Sequence, residues 1–249
     1  MAETEASVIK GASTPAARGG LRRKFYVVLA VLMLLLIFIG FWPSYYGPLM
    51  EGRAEAPLLL HVHGVIYIGW MALLIVQVTL AARGQIRTHR ALGQVGIGYG
   101  ALVWVVGLIV SFAAPAFNVN SGEWTVDQAA AFIPIPLGDM VLFGSFFLAA
   151  VLNRNKPELH KRLMLLATMA ILFAAAFRLQ NAGVSIPVAI VVWYVPLAIA
   201  MVYDLVQRGR VHMLYVVGAI VMGLALLRLP FGNTEAWLSI GRPIVESLT

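Results

Sequence analysis

The sequence predicts an all-α membrane protein, a bundle of about seven transmembrane helices with its N-terminus in the cytoplasm and its C-terminus outside. Three observations predict it. Of 249 residues, 61% are hydrophobic and only 12% charged, whereas a water-soluble domain carries roughly a quarter charged residues. Seven apolar runs are each long enough to cross a hydrocarbon core, which takes about 20 helical residues. Lys and Arg are distributed very unequally between the loops on the two sides. The absence of cysteine also excludes disulfides, thiolate metal sites and catalytic thiols.

Taken in order, residues 1–23 are rich in Ala, Ser, Thr and Gly without apolar periodicity, and read as a disordered cytosolic tail. The run FYVVLAVLMLLLIFIGFW follows a basic RRK. It is too long for a signal-peptide core and is followed by no small-residue cleavage site, so it reads as an uncleaved first span. The transmembrane domain, 24–230, then holds spans at 24–42, 58–82, 92–115, 130–152, 162–180, 185–204 and 212–229. Backbone groups in lipid need internal partners, so the spans are helices; no period-two alternation supports a barrel. Pro134 and Pro136 place the start of the fourth regular helix near Pro136, and Pro187 and Pro196 introduce kinks into the sixth. Residues 231–249 form a short extracytoplasmic tail, in which NTEAWLSIG makes an interfacial helix anchored by Trp237.

Orientation follows from charge. With the N-terminus inside, only Arg53, Arg178, Arg228 and Arg242 of the 18 Lys and Arg fall outside, a strong positive-inside bias. That places the N-terminus in the cytoplasm and the C-terminus outside. The net charge of +7 therefore reflects topology and not nucleic-acid binding. The expected partners are the bilayer, its anionic headgroups and a membrane protein partner. The loop sequences RTHRALG, ELHKRLM and GRVHMLY each start a returning helix beside a basic residue and a histidine, namely His89, His160 and His212. Cations at that level attract lipid phosphates.

The second span opens with HVHG. On a helix, His61 and His63 point roughly 200° apart and cannot share one small ion. His63, Tyr67, Trp70 and Gln77 form a single stripe, which must face the bundle because lipid offers polar groups no partner. His61 is left as a headgroup or loop contact. Asp139 in FIPIPLGDMVLF lies at a depth similar to His63, with Arg178 and Arg228 as its candidate counter-charges. Two arginines disfavour a bare cation there and favour an anionic group or a haem propionate. His160 and Arg178 lie on one face of the fifth span, five turns apart, with an alanine-rich surface between them that permits close helix packing.

The ordered set HVHG, Trp70, Gln77, HRALG, Asp139, KPELHKRLMLLAT, Arg178, Tyr203-Asp204, RGRVH, Arg228 and Trp237 resembles a widespread family of uncharacterised bacterial integral membrane proteins. The resemblance covers nearly the whole chain beyond the tail. A more distant similarity is to the membrane cytochromes b that take electrons from ascorbate, which hold two haems between histidines on facing helices. Here the outer half offers His61 and His63 on one helix only, so the resemblance implies at most one inner haem b, between His89 and His160.

No P-loop, nucleophile elbow or zinc-protease motif is present. A retinal protein needs an intramembrane lysine, and none of Lys10, Lys24, Lys156 and Lys161 lies in mid-bilayer. Five histidines are too few for a membrane di-iron oxygenase. The reading is thus a small redox or ligand-binding (haem or metal) membrane module, with an outer site of His63, Asp139 and Arg178 and an inner site of His89 and His160. The alternatives are a non-catalytic accessory or lipid-binding subunit, and a proton-coupled carrier using His63 and Asp139.

Overall fold

The computed structural model describes residues 15–53 and 56–249. Among them, seven helical segments are long and apolar enough to cross a membrane, as befits a multi-pass membrane protein. The helices are α1 (Pro15–Phe41), α2 (Leu58–Ala82), α3 (Ile86–Asn120), α4 (Val126–Phe132), α5 (Pro134–Leu152), α6 (Pro157–Phe177), α7 (Ile186–Arg208), α8 (Met213–Ala225) and α9 (Glu235–Glu246). Short helical turns at 42–50, 178–182 and 228–231 extend α1, α6 and α8.

The helices start and stop for local reasons. Thr125 caps α4 through a reciprocal capping box with Gln128, satisfying two otherwise unpaired amides. Pro134, whose missing N–H is harmless in a first turn, opens α5 directly after α4, before Pro136. Gly209 ends α7 at φ 71°, a left-handed conformation that glycine adopts without steric penalty. α3 overruns the expected span 92–115 at both ends because RTHR and FNVN continue the helix into the polar zone. α1 begins at Pro15, inside the stretch read as a tail; the remainder of that tail, 1–14, lies outside the described residues.

α1, α2, α3, α5 and α6 pack successively into a ring that closes where α6 meets α1. α7 and α8 lie on the other side of α6. The most apolar window of α6 is therefore 72% buried, against 17–28% for the other spans. Its alanines make this possible. Gly40 of α1 lies so close to α6 that an added Cβ would sit 2.1 Å from the Ala175 carbonyl oxygen. The stripe on α2 faces inward as expected. Tyr67 donates to the Val103 carbonyl at 3.1 Å and the Trp70 indole to Thr168 at 3.3 Å. The indoles of Trp104 and Trp193 likewise donate to the Met140 and Met169 carbonyls. α9 lies against α4 and the end of α3, with Trp237 donating to the Ala130 carbonyl at 2.7 Å.

Candidate functional site: a histidine-lined cavity and a second polar cluster

One end of the helix ring encloses a cavity of about 710 Å³, lined by residues from α1, α2, α3, α5, α6 and α7. This volume falls in the ordinary range for small-molecule sites, roughly 300–1,000 Å³. His89 in the first turn of α3 and His160 in the first turn of α6 both line it. Their ring centres are 6.4 Å apart at an interplanar angle of 80°.

Each imidazole is held from behind. His160 Nδ1 lies 2.9 Å from the Ala150 carbonyl oxygen near the end of α5. A carbonyl only accepts, so Nδ1 carries the proton and Nε2 keeps its lone pair. His89 Nδ1 lies 3.2 Å from the Gln77 carbonyl oxygen near the end of α2, a longer contact that does not by itself fix the tautomer. Gln77 offers a competing group: with its amide nitrogen turned to the ring, it reaches the same Nδ1 at 2.6 Å. That orientation would move the proton to Nε2. The two helical hairpins α2–α3 and α5–α6 thus use one device twice, a first-turn histidine tied to a carbonyl of the preceding helix.

The cavity rim is cationic. Arg90, Arg154, Lys161 and Arg208 line it without any carboxylate among the lining residues. Lys161 and Arg208 are bound to Glu158. Arg154 donates to the Val151 carbonyl at 3.4 Å, and neither Arg154 nor Arg90 has a carboxylate partner among the described residues. Trp70 and Phe147 supply aromatic wall, and Gly93 and Gly96 lie near Gln77 and Leu73 of α2.

Beneath this rim lies an ion pair that the charge count did not single out. Arg162, fully buried, engages Asp204, 1% exposed, through Nε–Oδ2 at 3.1 Å, Nη2–Oδ1 at 2.6 Å and Nη2–Oδ2 at 2.7 Å. Its Nη1 donates to the Glu158 carboxylate and carbonyl at 2.7 and 2.8 Å. Asp204 also accepts the His212 N–H at 3.3 Å, joining α6, α7 and the start of α8. Sequence reasoning placed Arg162 with the headgroup cations. The available signal was its position four residues after Glu158, inside a helix apolar on every side.

The opposite end of the bundle holds the second cluster. Arg228 binds Asp139, and its guanidinium lies over the Phe173 ring at 4.8 Å. Asp139 is 4% exposed and Arg228 8%. Arg178 makes no bond to Asp139; it faces the Phe41 ring at 4.5 Å and the Ala174 carbonyl at 3.5 Å. His63 stacks on Tyr67 with ring centres 4.0 Å apart, and Arg178 is within electrostatic reach of it. No hydrogen bond joins His63 to Asp139, so the pair required by a carrier mechanism is not assembled here. His61 points elsewhere and pairs with the Tyr45 hydroxyl at 2.7 Å.

No family model, curated protein or solved structure matches this chain. The site must therefore be argued from its own chemistry. The expected inner pair, His89 and His160, is brought together. The expected outer set is rearranged, with Arg228 and not Arg178 on Asp139. His212, third in the loop pattern, plays a different part: its Nδ1 accepts the Leu214 N–H at 3.2 Å and caps α8. Among the described residues no three His, Asp or Glu side chains converge to hold a metal ion.

Proposed function

We propose that this protein is a haem-b-binding module of a bacterial cytoplasmic membrane, with the N-terminus inside, in which His89 and His160 would hold the group. The observation that carries the reading is the disposition of those two rings. Both sit against one cavity, and His160 has Nδ1 tied to a carbonyl and Nε2 free, the outer-shell arrangement typical of ligating histidine. Two imidazoles bonded to one metal through bonds of about 2 Å need ring centres roughly 6 Å apart, and these are 6.4 Å apart.

The donor set fits a macrocycle better than a bare ion. Two histidines without a third ligand do not complete a tetrahedral site, whereas haem brings four nitrogens of its own. Arg90 and Arg154, which line the cavity without a carboxylate partner among the described residues, suit two carboxylates, because a guanidinium matches a carboxylate fork. Trp70 and Phe147 would pack on a flat ring. A haem b held there supplies one-electron redox chemistry. The residues themselves orient the imidazoles, neutralise the carboxylates and exclude bulk water. The motifs HVHG, HRALG and HKRLMLLAT support, as part of the same proposal, membership of the family the sequence resembles.

The test is spectroscopic. Protein produced with haem precursor and purified in detergent should show a Soret band that His89→Ala and His160→Ala each abolish or shift, with the melting temperature unchanged. Two variants with the full wild-type spectrum would overturn the assignment. A colourless wild type given excess haem would instead leave the cavity to an anionic amphiphile such as a phospholipid.

A further inference from the structure

We propose that the cluster of His63, Asp139, Arg178 and Arg228, at the end of the bundle opposite the cavity, binds a compact monocarboxylate. This does not depend on the haem reading. Among the described residues, three buried side-chain nitrogens have no hydrogen-bond partner: His63 Nδ1, Arg228 Nε and Arg228 Nη1. Two are on Arg228, paired to Asp139, and the third is on His63 against Tyr67, all at this end of the bundle. Buried polar groups are otherwise almost always paired, and a cluster of exceptions marks a missing acceptor.

Charge points the same way. Asp139 answers one guanidinium, while Arg178 has no carboxylate partner among the described residues. Arg178, which is only partly buried, leaves this end of the bundle with an excess positive charge that a monoanion would offset. The donors that remain are planar guanidinium N–H groups, which complement the two oxygens of a carboxylate, and a His63 Nδ1 able to donate a further bond. Arg178 is held only by a carbonyl at 3.5 Å and the face of Phe41 at 4.5 Å, so its donors are available. Asp139 and Arg228 are 4% and 8% exposed. Such enclosure favours a small water-soluble acid over a lipid headgroup carrying two acyl chains.

The experiment uses the full chain in detergent and radiolabelled acetate as the probe, with binding measured at constant pH and ionic strength. One saturable acetate per chain is expected, displaced neither by equal chloride nor by equal phosphate. Arg178→Gln should weaken binding by about tenfold, the scale of one lost charge-assisted hydrogen bond, and His89→Ala should leave it intact. Arg228→Gln alone strands Asp139, so the paired variant Arg228→Gln/Asp139→Asn serves as the second probe. It should remain folded and bind no acetate. Absence of saturable binding, equal displacement by chloride, preference for phosphate, or binding unaltered in Arg178→Gln would each overturn the proposal.

Discussion

Replacing Asp204 by Asn isolates the buried ion pair that ties α6 to α7. The substitution keeps the side-chain shape but removes the charge that three Arg162 contacts of 2.6–3.1 Å address. Breaking a buried pair from one side costs about 3–5 kcal/mol, because the other charge stays behind without its partner. Glu158 retains its 2.7 Å bond to Arg162 Nη1, and its side chain is 50% exposed, so it keeps its charge near water at little cost. The lower end, about 3 kcal/mol, is therefore expected. For a chain of this size that corresponds to a fall in melting temperature of roughly 6–12 °C, read by thermal unfolding in detergent. The double variant Arg162→Met/Asp204→Leu should recover most of the loss, since apolar replacements of both partners are often neutral or stabilising. An unchanged melting temperature for Asp204→Asn, or a double variant no more stable than the single, would refute the reasoning.

Other outcomes follow from single contacts. Gly40→Ala should destabilise by about 1–3 kcal/mol through overpacking, because the new Cβ meets the Ala175 carbonyl at 2.1 Å; a wild-type melting temperature would show that α1 and α6 are not so closely packed. His212→Ala should cost about 1 kcal/mol by uncapping α8, and His212→Asn, another good cap, should cost much less; equal losses would remove the capping role. Burial, with Arg162 nearby, holds the His212 imidazole below its ordinary value. The unfolded chain therefore binds this proton more readily, so the cap's contribution is full above about pH 6.5 and is lost as pH falls below it. A pH titration of stability in wild type that His212→Asn fails to flatten would contradict this. Gln77→Leu, which removes the competing amide but keeps the main-chain carbonyl, should raise ligand affinity at His89; a lower affinity would make the amide a positioning group.

The bundle was legible because its signals are local. Run length located the seven spans, and the 3.6-residue period correctly turned His63, Tyr67, Trp70 and Gln77 inward. The helix ends were less legible, since apolar counting stops where RTHR and FNVN begin although the backbone of α3 does not. Which arginine Asp139 would take was open in the sequence, because depth alone cannot distinguish the end of α6 from the end of α8. The meeting of His89 and His160 was expected through the likeness to the membrane cytochromes b, but local spacing alone did not show it. They lie 71 positions apart, and each sits in a basic juxtamembrane motif that lipid anchoring would explain equally well. Only the ring formed by α1, α2, α3, α5 and α6 brings both to one cavity. His212 shares their motif and not their place. Arg162 was obscured by its neighbour Lys161: two adjacent cations read as one headgroup anchor, yet only the second turns into the bundle.

The most direct test of the central claim is the reduced-minus-oxidised absorbance spectrum of the detergent-purified chain, with iron counted per polypeptide in the same sample. The account predicts one iron per chain and a Soret band that moves on reduction, as expected of a haem held by two imidazoles. A flat difference spectrum without stoichiometric iron, from protein produced with ample haem, would contradict it.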